Sequence, residues 1–165
     1  MRNAAIIPKK IHSLNSLKHA VEVWKFLGKK ISFTNGVFDI LHQGHIYSLS
    51  QAAQEGDVLV VGVNSDASVK RLNKGPERPI NDQDSRAILL ASMIMVDAVI
   101  IFDEDTPYNL ITTILPDVLV KGGDYRVEEV VGHKEVIANG GQVVINPIVE
   151  GFSTTGIISR MRETH

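Results

Sequence analysis

Positions 58–63 read Val-Leu-Val-Val-Gly-Val, and this unbroken apolar run constrains the fold more than any other stretch. A strand with one face in water alternates apolar and polar residues. A run without alternation has to be covered on both faces, the usual condition of strands in a parallel sheet flanked by helices. Shorter Val/Ile-rich runs at 31–34, 98–102, 118–120 and 143–147 predict four further strands. Helical periodicity separates them: Leu17, Val21, Trp24 and Leu27 mark a helix over 14–27, Ile46, Leu49 and Ala53 one over 42–54, and Ala87, Leu90, Ala91 and Ile94 one over 84–95. Helices are also predicted at 67–72, 108–114, 127–138 and 155–162. Strands alternating with helices define βαβ units. The expectation is a single α/β domain over 1–165, a doubly wound Rossmann-like fold with a parallel five-stranded sheet. Residues 1–30 would form an N-terminal helical extension and 31–165 the core.

Composition narrows the chemistry. The formal net charge is −2, so no broad basic surface exists for nucleic acid or an anionic membrane, and any phosphate site has to be local. The chain has no cysteine, which excludes disulfides, thiolate catalysis and thiolate-bound metals. No apolar run is long enough to span a bilayer, and no apolar segment follows Lys9 and Lys10 as in a secretory leader; a cytoplasmic protein is expected.

Ligands of doubly wound sheets bind beyond the carboxyl ends of the strands, where the strand order reverses. Three segments at predicted strand ends look built for something other than structure. The first runs Asn35-Gly36-Val37-Phe38-Asp39-Ile40-Leu41-His42-Gln43-Gly44-His45. Gly36 permits a tight turn, Gly44 opens the backbone of the first helical turn, and the helix N-terminus presents unpaired N–H donors with a partial positive charge. His42 and His45, three residues apart, share a helix face from which both can donate to phosphoryl oxygens. A capping or packing role, or a zinc site, is the alternative, but a zinc site lacks further ligands of suitable spacing. The other segments are 121–125, with Lys121, Gly122, Gly123 and Asp124, and 151–155, with Ser153 and Thr154 before the last predicted helix. A polar loop over 73–81 carries Lys74 and Arg78. Arg86, on an amphipathic helix, is expected on the surface.

Gly36-Val37-Phe38-Asp39 with His42-Gln43-Gly44-His45 resembles the His-x-Gly-His signature of the nucleotidyltransferase superfamily related to class I aminoacyl-tRNA synthetases. Gly151-Phe152-Ser153-Thr154-Thr155 resembles the second signature of its cytidylyltransferase-like branch. CTP-dependent members have Arg-Thr-Glu where this chain has Ile148-Val149-Glu150, which argues against CTP. The segments 63–72, Arg78-Pro79-Ile80-Asn81, Asp105-Thr106-Pro107 and 120–125 resemble the bacterial D-glycero-β-D-manno-heptose 1-phosphate adenylyltransferases.

That resemblance implies transfer of AMP from ATP to a heptose 1-phosphate, releasing pyrophosphate, with Mg²⁺ carried by the ATP phosphates and no metal ligands of the chain's own. It implies catalytic roles for His42, His45 and Lys74. Asn35, Gly36, Phe38, Asp39, Gly44, Lys121, Gly122, Asp124, Ser153 and Thr154 would bind the nucleotide, and Lys70, Arg71 and Arg78 the acceptor. Structural readings stand beside several of these: capping for Asp39, Ser153 and Thr154, a turn for the glycines, a solvated face for the basic residues. The partners are ATP and a sugar 1-phosphate, with a homodimer expected. Many relatives carry a fused sugar kinase; the length here suggests the stand-alone transferase. A cytidylyltransferase acting on glycerol phosphate or another polyol phosphate is the nearest alternative. A non-catalytic nucleotide-binding module is the next, and a dehydrogenase is disfavoured because the first turn lacks Gly-x-Gly-x-x-Gly.

Overall fold

The structure, a computed structural model, describes residues 4–73, 75–147, 149 and 151–163. Its strands are β1 (Ile11–His12), β2 (Ile31–Gly36), β3 (Val58–Asn64), β4 (Ala98–Phe102), β5 (Val118–Gly122) and β6 (Gln142–Asn146). They form one wholly parallel sheet in the order β1-β4-β3-β2-β5-β6. The α-helices are α1 (Leu14–Phe26), α2 (Gln43–Gln54), α3 (Asp66–Arg71), α4 (Gln83–Ala91), α5 (Tyr108–Ile114), α6 (His133–Ala138) and α7 (Thr154–Glu163).

All seven residues of β3 are buried, as an unalternated run requires. Val58 and Val60 pack with Leu17, Val21, Phe33, Leu110 and Ile114 on the α1/α5 side of the sheet. Leu59, Val61 and Val63 pack with Leu49, Ala52, Ala87 and Leu90 on the α2/α4 side. The result is a three-layer α/β/α sandwich. Side-chain caps begin several helices: Ser13 accepts from Ser16 N–H, Ser65 from Ser68 N–H and Asp82 from Ser85 N–H. At the amino edge of the sheet, Asp57, Asp97 and Asp117 each precede a strand and accept a backbone N–H from Lys30, Leu59 and Ile31 respectively. These bonds tie off the end of the sheet remote from the site.

Three sequence expectations are corrected. The sheet has six strands, not five: Ile11–His12 pairs with Val99 and Ile100, and Lys10 anchors this edge by donating from Nζ to the Met93 and Val96 carbonyls. Two residues carry no periodicity, so the strand is silent in the sequence, and the segment before residue 31 contributes to the sheet. The helix expected over 127–138 is a 3₁₀ turn, Val127–Glu129, followed by α6. The break falls at Gly132, whose φ is +83° and whose missing Cβ would lie 2.7 Å from Ile111 Cγ2. Finally, α4 ends at Ala91, short of the expected Met95.

Candidate active site

The chain leaves β2 in one direction, through β3 to β4, and returns to place β5 on the other side of β2. The strand order therefore reverses between β2 and β5, and their carboxyl ends open into a cavity of about 550 Å³. All three segments singled out in the sequence converge there. Asn35, Gly36, Phe38, His42, Gly44 and His45 line it from the β2–α2 connection. Lys121 and Gly122 line it from β5, Ser153 and Thr154 from the start of α7, and Arg78 from the loop before α4.

The geometry of the first segment follows from a few local constraints. Phe38 adopts φ +52°, a left-handed conformation disfavoured for a bulky L-residue. This turn folds its ring over Gly36, where a Cβ would stand 3.1 Å from the ring, and against His45, with centroids 5.4 Å apart. His42 occupies the N-cap position of α2, yet its side chain makes no capping bond. The first backbone N–H groups of the helix thus have no side-chain cap. The imidazoles of His42 and His45 stack, with centroids 3.9 Å apart and planes 24° from parallel. Both Nδ1 atoms are buried without a hydrogen-bond partner. Burial, then the neighbouring His42, then the Arg78 guanidinium lower the His45 pKa to about 4. Burial also lowers that of His42. Both rings are therefore neutral at pH 7.

Gly44 is tightly enclosed: a Cβ there would lie 3.0 Å from His42 Nδ1 and 3.2 Å from Phe152 Cβ. The crowding offsets the better helix propensity of alanine, so Gly44→Ala should change thermal stability little. It should nevertheless reduce turnover, because the His42 ring has to move; circular-dichroism melting and a pyrophosphate-release assay on one preparation check both halves.

Other sequence-predicted residues lie elsewhere. Asp39 is buried and does not line the cavity. Its carboxylate accepts the Ile80 and Asn81 N–H groups and faces Arg78 Nε at 2.6 Å. It holds the 78–81 loop, and through it places Arg78 beside the histidines. Arg71 pairs with Asp105 at 2.5 Å and donates to the Asp103 carbonyl, on the outer side of α3. Lys70 is exposed on the same helix, and neither residue reaches the cavity. Asp124 is exposed and outside the lining, whereas its neighbour Tyr125 is part of it. Ser153 Oγ accepts the Gly156 N–H, so it caps α7 at the cavity wall. Lys74, Ile148 and Glu150 lie outside the described residues.

Two features were not foreseen. Ser48 lines the cavity, and its position three residues beyond His45 on one helix face would have revealed it. Arg86, expected at the surface, is wholly buried. Its guanidinium donates to the Val37, Asn64 and Asn81 carbonyls and to Asp66 Oδ1 at 2.7–3.0 Å. It thereby fastens the carboxyl ends of β2 and β3 to the start of α3 and to the 78–81 loop. A second chamber of about 300 Å³ adjoins the first, sharing Asn35, Gly36, Val37, Lys121 and Tyr125 as a common wall. Its far side carries Asn64, Thr106 and Glu129 over an apolar floor of Ile111, Leu119 and Val130.

A three-layer parallel α/β domain with paired histidines at a helix N-terminus over the switch point has the geometry of an anion-binding site. The sequence model of the family described as cytidylyltransferase-like matches residues 33–160. The chain belongs to that family of nucleotidyltransferases. It is 53% identical over 152 residues to "Bifunctional protein HldE" of Rhodospirillum rubrum, covering 92% of this chain and 30% of the relative. The protein of the same name from Hyphomonas neptunium is 59% identical over 140 residues, covering 85% and 29%. The chain thus spans about 30% of the length of these curated relatives. Among solved structures it is similar to a lipopolysaccharide core biosynthesis protein from Thermoplasma volcanium. That likeness has a TM-score of 0.61 at 32% identity and covers 74% of this chain and 98% of the other. A pantoate-beta-alanine ligase from Francisella tularensis shares the fold at 17% identity, with a TM-score of 0.58 and coverage of 92% and 76%. No helix among the described residues is long and apolar enough to cross a membrane.

Proposed function

We propose that the chain transfers AMP from ATP to a heptose 1-phosphate, giving ADP-heptose and pyrophosphate. The observation that carries this reading is the stacked His42–His45 pair at the N-terminus of α2, in a cavity that shares a wall with a second chamber. The larger chamber takes the nucleotide and the smaller one the acceptor, so that the two reacting groups meet at Asn35–Val37 and Lys121. One acceptor phosphate oxygen forms a bond to the α-phosphorus. The bond from that phosphorus to the bridging oxygen breaks, and pyrophosphate leaves with the electron pair. The acceptor phosphate is already an anion, so no strong base is needed, and catalysis reduces to alignment and charge stabilisation. His42, His45, Arg78, Lys121 and the N-terminal ends of α2 and α7 are the groups that supply it.

The described lining of the larger chamber contains no carboxylate, and no group of three or more His, Cys, Asp or Glu able to hold a metal occurs among the described residues. The described residues do not form a cation cage of their own. A Mg²⁺ ion would arrive on the triphosphate, held by phosphate oxygens and water.

The heptose assignment draws on the 63–72, 78–81 and 120–125 segments and on the relative whose name places it in lipopolysaccharide core biosynthesis. Pyrophosphate release with ATP and CTP, measured across heptose 1-phosphate, hexose 1-phosphates and glycerol 3-phosphate, tests it. Turnover is expected with ATP and the heptose 1-phosphate. Turnover with CTP but not ATP overturns the assignment in favour of a cytidylyltransferase.

A further inference from the structure

The two imidazoles of the site present a problem that neutral hydrogen bonding alone does not solve. They lie face to face at 3.9 Å, each with a buried Nδ1 that has no partner. A buried ring nitrogen without a partner is costly, and the cost is removed when an acceptor meets a protonated nitrogen there. Burial keeps either ring from holding a second proton by itself, and at His45 neighbouring charge adds to it. Arg78, from the 78–81 loop, faces His45 and lowers its proton affinity. Lys121, from β5, adds a second cation to the cavity lining, beside the Tyr125 ring. The Asp39 carboxylate on the β2–α2 connection is already matched by Arg78 and two backbone donors. From α7 only the hydroxyls of Ser153, Thr154 and Thr155 line the wall among the described residues. Beside the histidines, the charged side chains of the described lining are thus the cations Arg78 and Lys121, and a polyanion entering the cavity opposes their field.

We infer that binding of a nucleoside triphosphate is accompanied by uptake of one proton into the stacked His42–His45 pair, which then carries a single shared positive charge against the phosphates. The inference rests on the reading of this cavity as the nucleotide's. One proton rather than two follows from the stacking, since two imidazolium rings in face-to-face contact repel each other and titrate as a coupled unit. The linkage has a definite sign. Bound phosphate raises the proton affinity of the pair, so affinity for nucleotide is greatest at low pH. It falls as pH rises toward the bound-state pKa of the pair and is level above it. Over that window the dissociation constant should grow by up to about tenfold per pH unit. The proton is returned to solvent when pyrophosphate and product leave.

Isothermal titration calorimetry with a non-hydrolysable ATP analogue and Mg²⁺, at pH 6.5 in buffers of different ionisation enthalpy, counts the protons. Uptake approaching one is expected for the native chain, and uptake near zero for the H42Q/H45Q double variant, whose amides bond phosphate without titrating. An NMR titration of the histidine Cε1–H resonances of the native chain needs no variant. The His45 signal should titrate near pH 4 alone and well above that with nucleotide bound. Nucleotide binding with no proton uptake and unmoved resonances overturns the inference and leaves the nucleotide reading standing. Failure of the analogue to bind at any pH overturns both.

Discussion

His45→Ala is expected to lower the turnover number by about a hundredfold or more. The ring is fixed from both sides, by stacking on His42 and by the edge of Phe38, and it projects from the first turn of a helix whose own dipole favours anions. A donor held in place before the reaction costs no reorganisation when negative charge spreads over the phosphoryl oxygens. Loss of one such donor typically removes about 3 kcal/mol of transition-state stabilisation. His42→Ala should behave alike. Because the rings touch, the double variant should lose less than the product of the two single losses. Initial-rate measurements of pyrophosphate release on the three variants check this. A turnover number within a few-fold of the native value for either single variant would remove that histidine from the proposed chemistry.

What the sequence revealed of this site, and what it hid, follow from the range of the interactions involved. The strands could be read because double-sided burial forces a local pattern, as in 58–63, where every residue of β3 is buried. The histidine pair could be read because a strand, a glycine turn and a helix N-terminus are contiguous in the chain. The convergence of 35–45, 121–122 and 153–154 on one cavity needed only the rule that such sheets bind at their reversal point. Asp39 and Arg86 misled for a common reason. Each stands in a local context that suggests another role, a carboxylate beside a phosphate-binding turn and a cation on an amphipathic helix. Each finds its partners far along the chain: Asp39 at Ile80 and Asn81, Arg86 at Val37 and Asn64. Arg71 likewise spends its charge on Asp105, a partner 34 residues away. Side chains that close loops across a sheet edge leave no periodicity, so only the folded chain reveals them.

Arg86→Met should be the most destabilising single substitution in the described core. Methionine has a similar length and the helix propensity of a good former, so neither cavity formation nor loss of helicity accounts for the damage. The damage comes from the acceptors left behind. The Val37 and Asn64 carbonyls lose a charged donor in a region closed to water, and the Asn81 carbonyl and the partly exposed Asp66 carboxylate lose theirs at its rim. Breaking a buried charge network from one side costs about 3–5 kcal/mol, a large share of the roughly 5–15 kcal/mol that holds a domain together. At about 2–4 °C per kcal/mol for a chain of this size, the melting temperature should fall by around 10 °C. Arg86→Lys should recover little of this, because one ammonium cannot span four acceptors set around a planar fork. Urea and thermal unfolding of both variants provide the measurement, and a midpoint lowered by only a degree or two for Arg86→Met would show that the network is not what closes this end of the sheet. The same substitution should also disturb the site before the fold gives way. Val37 precedes the strained Phe38, and Asn81 belongs to the loop that holds Arg78 beside His45, so the guanidinium braces two of the cavity's walls.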